Sequence, residues 1–185
     1  ATGMAQAAAA SPTGMAAVLG GVEQDVRQAI DEAALVAANS NGAGQIVAAG
    51  PLEAIEAFAA NPPARTRVIP LKVAGAFHTQ AMAPAVEPLA AFAAELTVND
   101  PAYELLSNRD GERISTGREF VDSLVSQVTS PVRWDRCMST LMAAEVDSII
   151  EVAPAGTLVG LAKRAMRGVP SAAVNTPEDL EAVTA

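Results

Sequence analysis

One cysteine, one histidine, one tryptophan and one tyrosine occur in 185 residues, and aromatic side chains make up only 3% of the chain. A lone Cys137 cannot close an internal disulfide, which fits a reducing compartment and a cytoplasmic location. No metal-ligand spacing surrounds it. Positive charge is scarce: 12 Lys and Arg stand against 21 Asp and Glu, a net charge of -9. That balance argues against a nucleic-acid partner, which needs a basic face. No apolar run reaches the 18 residues that read as a membrane-spanning helix, so no membrane partner is expected. No basic region precedes the N-terminal alanines, so no signal peptide is read there. The G-x-S-x-G nucleophile elbow is missing as well.

Half of the residues are apolar, and alanine supplies much of that half, which predicts close, helix-rich packing in one medium domain or two small ones. The chain opens without Met inside a helical pattern, Thr2 to Ala10, as if a piece lay upstream. From Thr13 to Val73 one pattern occurs twice. Met15 to Leu19 reads as a strand ended by Gly20-Gly21, and Val22, Val26, Ala29, Ile30 and Ala33 then share a helical face. Leu35 to Ala38 is an apolar return, and Asn39 to Gly44 is rich in turn formers. The second copy runs from a strand at Gln45 to Ala49, through a helix with Leu52, Ile55 and Phe58 on one face, to a strand at Arg67 to Val73. Pro70 marks that last strand as an edge or a bulge. Two such units predict a ferredoxin-like, split βαβ subdomain.

Beyond residue 75 the texture changes to longer helices between short strands. Helices are predicted over 84–96 (with Val86, Leu89, Ala90 and Ala93 inward), 119–128, 134–144 and 157–166. Strands are predicted at Tyr103 to Leu106 and, buried, at Ser148 to Val152. Thr176-Pro177-Glu178-Asp179 reads as a helix start, with a threonine cap and an acid three residues on. The alternation predicts part of a mainly parallel α/β sheet.

The chemistry concentrates at Gly75-Ala76-Phe77-His78, just past a strand-like run. One histidine leaves one candidate general base near neutral pH, and a base needs something to deprotonate. By itself, a lone histidine reads first as a hydrogen-bonded structural residue.

Several motifs in order give this stretch a context: Pro12-Thr13-Gly14-Met15, Asn39 to Gln45 running into Ile46-Val47-Ala48-Ala49-Gly50, and Ala76-Phe77-His78. Gln127 with Ser130-Pro131-Val132-Arg133-Trp134 follows, then Glu151-Val152-Ala153-Pro154-Ala155-Gly156-Thr157-Leu158. In this order they resemble the C-terminal portion of the bacterial malonyl-CoA:acyl carrier protein transacylases, across essentially the whole chain. The resemblance implies an α/β fold: the C-terminal part of an α/β-hydrolase-like acyltransferase domain plus an inserted ferredoxin-like small domain. It divides the chain into a helix end at 1–12, the small subdomain at 13–74, and at 75–185 the part of the large domain that carries the histidine.

It also implies ping-pong transfer of malonyl from coenzyme A to the phosphopantetheine thiol of acyl carrier protein in fatty-acid biosynthesis. The serine nucleophile and the arginine for the malonyl carboxylate would lie before Ala1, so the 185 residues alone are expected to be inactive. No cofactor is implied beyond the coenzyme A thioester, and the complete protein is expected to be a monomer.

His78 would be the general base, and the carbonyl at Gln127 would accept a hydrogen bond from it. Phe77 would set substrate size, since phenylalanine before this histidine goes with malonyl in related polyketide synthase acyltransferases; it also reads as a core residue. Asn39 and Asn41, with Gln45, would face the cleft and bond substrate or pantetheine amides, or simply build turns. Lys163, Arg164 and Arg167 would meet the carrier protein or coenzyme A phosphates, or form a solvated helix face. Cys137 and Trp134 read as core. Three alternatives stay open: an acyltransferase domain of a polyketide synthase, a non-catalytic module that docks a carrier protein, and a hydrolase releasing malonate.

Overall fold

The computed structural model describes residues 2–184. Helix α1, Thr2–Ala10, leads into strand β1, Thr13–Gly20. Helix α2, Glu23–Glu32, then precedes a hairpin of β2, Val36–Gly42, and β3, Gln45–Pro51. Helix α3, Leu52–Ala60, and β4, Thr66–Pro70, complete a βαββαβ unit. The order within its sheet is β4-β1-β3-β2, every pair antiparallel.

The strands form because small and β-branched residues fill both faces of the sheet. Ala16, Val18, Ile46 and Ala48 face α2 and α3, where Val26 and Ile30 meet Ile55 and Phe58 in one core. The acidic Glu23 and Asp25 sit in the first turn of α2, where the helix dipole favours them. On the opposite face, Met15, Ala38, Val47 and Ala49 pack against Ala76. That second face carries the candidate site. The Pro70 expectation holds in its edge form, because β4 is an outer strand and Pro70 is its last residue.

A 3-10 helix, Gln80–Ala85, runs into α4, Val86–Ala94. Strands β5, Leu105–Leu106, and β6, Arg113–Ile114, form a two-residue ladder. Then follow α5, Gly117–Gln127, β7, Val132–Arg133, and α6, Trp134–Ala143. Strand β8, Ile149–Val152, α7, Thr157–Ala165, and β9, Ser171–Val174, form a parallel βαβ pair. A 3-10 turn, Pro177–Leu180, and α8, Glu181–Thr184, follow. The Asp179 carboxylate accepts the N–H groups of Asn175 and Thr176, so the predicted helix start stands.

Five local readings need correction. The sheet is mixed: among the described residues only β2–β7 and β8–β9 are parallel, because β2 and β3 form a hairpin and β7 is merely added at its edge. Asn39, Ser40 and Asn41 are strand residues, since the turn is only Ala43-Gly44 and ladder pairing wins over their turn propensity. Strand β8 is not buried, for Ile150 and Val152 are 49% and 72% exposed. Tyr103 lies outside any strand and is 89% exposed, as Pro101 precedes it and pairing begins only at Leu105. Leu89 and Ala90 are exposed although they share one face of α4 with half-buried Val86 and buried Ala93, because the described residues cover only the ends of that face. Strands β6, β7 and β9 had no predicted counterpart.

Candidate active site

The site starts from a break in the β2 ladder. Asn39 pairs with Val47, and the register shifts between Ala37 and Asn39 and again between Ser40 and Gly42. Paired residues share a sheet face, so Asn39 joins Val47 and Met15 on the face opposite the helices. Ser40 turns the other way and accepts a hydrogen bond from Arg27 of α2 at 2.8 Å. Asn39 and Asn41, two residues apart, both reach one open cavity of about 510 Å³.

Phe77 and His78 form a second wall of that cavity. They sit in a turn tied to the start of β1, where Ala76 N–H donates to Thr13 Oγ1 at 3.0 Å. Gly75 allows the approach, because a Cβ there would lie 2.9 Å from Ala8 Cβ. His78 has a left-handed backbone with φ +61°. For a residue with a Cβ this costs about 1–2 kcal/mol, and such outliers cluster at functional sites.

His78 Nδ1 lies 3.0 Å from the backbone oxygen of Gln127, the last residue of α5. A carbonyl can only accept, so Nδ1 must carry the hydrogen. In the neutral ring Nε2 then holds a lone pair, and His78 lines the cavity. The Gln127 side chain does a different job. It is buried, and its Nε2 donates to Ser130 O at 2.7 Å and Pro131 O at 3.1 Å. These bonds hold the turn between α5 and β7, and so the direction of the Gln127 carbonyl.

A third wall comes from Asn108, Val132 and Trp134, and a fourth from Thr157, Leu158 and Leu161 of α7. Asn108 is set by its backbone, whose carbonyl accepts from Arg133 N–H at 2.6 Å. The start of α7 is held by a single carboxylate: Glu151 accepts the N–H groups of Gly156, Leu158 and Val159 at 2.8, 3.0 and 2.8 Å. Burial pushes this carboxyl upward, but the three amide donors outweigh burial and hold it below the usual carboxylate range. The other end of α7 carries Lys163 and Arg164 in its last turn, with Arg167 just beyond, all exposed. Among the described residues none of the three is in an ion pair. Arg164 instead donates to Gln45 Oε1 at 3.1 Å, which ties α7 to β3.

The structure therefore brings His78, Phe77, Asn39 and Asn41 to one cavity. It sets Gln127 behind the histidine and puts the basic residues outside, along the helix that walls the cavity. Gln45, expected at the cleft, contacts Arg164 and is absent from the cavity lining. Trp134, read as core, has two faces: it packs against the cluster of Met138, Leu161 and Met166, and it lines the cavity. Cys137 is core as expected, and burial, with Asp110 and Asp135 nearby, pushes its thiol up to about 11. Asn108 and Leu161 had no distinct signal, since each reads as a turn or a helix face in isolation, while Thr157 and Leu158 close one of the quoted motifs without a role of their own. Among the described residues no serine or cysteine lines the cavity.

The family model of the acyl transferase domain matches residues 2–178. The chain is 54% identical over 178 residues to the malonyl CoA-acyl carrier protein transacylase of Mycobacterium tuberculosis strain H37Rv, covering 96% of this chain and 59% of that protein. It is 33% identical over 174 residues to the Escherichia coli K12 protein of the same name, covering 91% of this chain and 56% of the relative. The crystal structure of MCAT from M. tuberculosis superposes with a TM-score of 0.95 at 53% identity, over 100% of this chain and 61% of that one. A malonyl-transacylase in complex with its type II PKS acyl-carrier protein superposes at 0.88 with 28% identity, over 97% of this chain and 60% of that one. The chain thus spans about three fifths of the length of these relatives.

Proposed function

Because the chain belongs to the acyl transferase domain family, we propose that the whole protein transfers malonyl from coenzyme A to the phosphopantetheine thiol of an acyl carrier protein, in fatty-acid biosynthesis. The observation that carries this is the histidine whose Nδ1 rests on the Gln127 carbonyl and which lines a cavity where, among the described residues, no serine or cysteine is found. In this reading the nucleophile is a serine supplied from outside these 185 residues.

The chemistry follows from the tautomer. His78 Nε2 takes the serine hydroxyl proton as the oxygen attacks the thioester carbonyl. The tetrahedral intermediate collapses, and the coenzyme A thiolate leaves with the proton from the imidazolium. The carrier thiol then gives its proton to Nε2, attacks the malonyl ester, and the serine oxygen recovers the proton. A carbonyl orients the ring without adding a buried negative charge beside the malonyl carboxylate, at the cost of less support for the imidazolium. No cofactor enters.

Phe77 fills space that an α-methyl would need, a discrimination of about 1–3 kcal/mol. Asn39 and Asn41 offer amide donors and acceptors to the pantetheine amides. Lys163, Arg164 and Arg167 attract the acidic carrier or the coenzyme phosphates on an otherwise acidic protein. We further assign residues 13–74 as a ferredoxin-like insert and 75–185 as part of an α/β-hydrolase-like large domain, a reading supported by the strand order β4-β1-β3-β2. The complete protein works as a cytoplasmic monomer in this scheme.

The test is single-turnover acylation of the complete protein by malonyl-CoA. His78→Ala is expected to slow it by about 10²–10⁴-fold, and an unchanged rate would overturn the proposal. The 185-residue chain alone is expected to gain no malonyl mass on incubation with malonyl-CoA; a covalent adduct would place the nucleophile within it.

A further inference from the structure

We infer that Thr79 is a positioning residue for this reaction: its buried hydroxyl locks the turn that holds His78 in its left-handed backbone and so aims Nε2 into the cavity. The inference rests on the acyl-transfer reading above. Thr79 is 6% exposed and does not line the cavity. Its Oγ1 donates to Ala76 O at 2.7 Å and accepts from Ala81 N–H at 3.2 Å. These two bonds bracket His78, one anchored before it and one after it. Ala76 is itself held to β1 by the bond from its N–H to Thr13 Oγ1. Thr79 also caps the 3-10 helix Gln80–Ala85, so the same hydroxyl fixes where that helix begins.

A left-handed φ of +61° at a residue with a Cβ persists only where the surroundings over-determine it. Among the described residues the side chain of His78 makes one hydrogen bond, Nδ1 on Gln127. The backbone must therefore be held from its flanks, and Thr79 is the side chain that bonds to both. A valine would keep the shape and remove the hydroxyl, leaving the Ala76 carbonyl and the Ala81 N–H without it. The turn is then free to return to negative φ, which swings the imidazole away from the Gln127 carbonyl and displaces Nε2.

The experiment uses the complete protein and compares Thr79→Val, Thr79→Ala, Thr79→Ser and His78→Ala. A misplacement near 1 Å at a reacting group costs on the order of 100-fold. Thr79→Val and Thr79→Ala should lower kcat for acylation by about 10–100-fold while KM for malonyl-CoA stays within about twofold. Thr79→Ser keeps the hydroxyl and should recover most of the rate. Nitrogen-15 spectra of the histidine ring should show Nδ1–H alone in the parent and in Thr79→Ser, and mixed tautomers in Thr79→Val.

A Thr79→Val protein with parental kcat overturns the inference. So does a Thr79→Ser protein as slow as Thr79→Val, or a KM that rises in step with the loss of rate, which marks general destabilisation. Should Thr79→Val fail to fold, Thr79→Ala is judged by the same criteria. If His78→Ala keeps full activity, the acyl-transfer reading fails; if His78→Ala is inactive and Thr79→Val is not, this inference alone fails.

Discussion

Strands β1 and β8 are both short apolar runs, yet they live in different surroundings. β1 has a strand on either side and packing on both faces, and five consecutive residues from Gly14 to Val18 are buried. β8 has one strand partner among the described residues, and only Glu151 of its four residues is buried. In β1 the inward groups are alkyl and supply the core. In β8 the inward group is a carboxylate that organises a helix start, while Ile150 and Val152 face out. The same residue types are thus covered in one place and, in the other, left exposed within these 185 residues.

The largest expected effect tests the first half of that contrast. Ile30→Ala or Ile55→Ala, each a fully buried side chain in the core under β1, should cost about 2–5 kcal/mol in denaturant unfolding. A comparable loss from Ile150→Ala would break the comparison. Glu151 comes next, read through pH. Its folded pKa lies below its unfolded value of about 4.3, so its contribution is present above that value and is lost as pH falls through the folded pKa. Glu151→Gln should be less stable than the parent at pH 7, and its stability should fall less between pH 5 and pH 3. Parallel acid titrations would deny Glu151 its role at the start of α7.

A smaller effect is expected at the other end of α7. Each exposed charge contact is worth about 0.2–1 kcal/mol, so Lys163→Glu with Arg164→Glu should raise KM for the carrier several-fold, more so at low salt. Acylation by malonyl-CoA should change less than the carrier step; equal losses in both would favour coenzyme phosphates as the partner. The smallest effect is at β8 itself: Val152→Asp should shift stability by less than about 0.5 kcal/mol, and a large loss would show that its exposure is only apparent.

Much of the sheet was legible in advance because its signals are local. Val26 and Ile30, then Ile55 and Phe58, recur at helical spacing, and both pairs meet in one core. The histidine stretch was legible through scarcity and through the order of motifs around it. The asparagines were misread because their composition favours turns, whereas the hairpin with β3 draws them into the ladder. Their spacing of two was the available clue. Strand β8 was misread because an apolar run does not say whether anything covers it. The wall made of Asn108, Trp134 and α7 was not legible as a wall, since its residues are spread over positions 108–161 and meet only when the chain folds back on itself.

Local patterning by itself determined the helices and strands up to residue 70 apart from the second half of β2, the net acidity, and the single imidazole available for proton transfer, since each is a property of neighbours along the chain. Tertiary structure alone decided that the ring rests on a carbonyl from α5, that β2 turns two amides toward it, and that α7 walls the cavity. The reason is physical: which nitrogen carries the proton, and what that nitrogen's partner faces, depends on groups 49 residues apart in sequence and 3.0 Å apart in space.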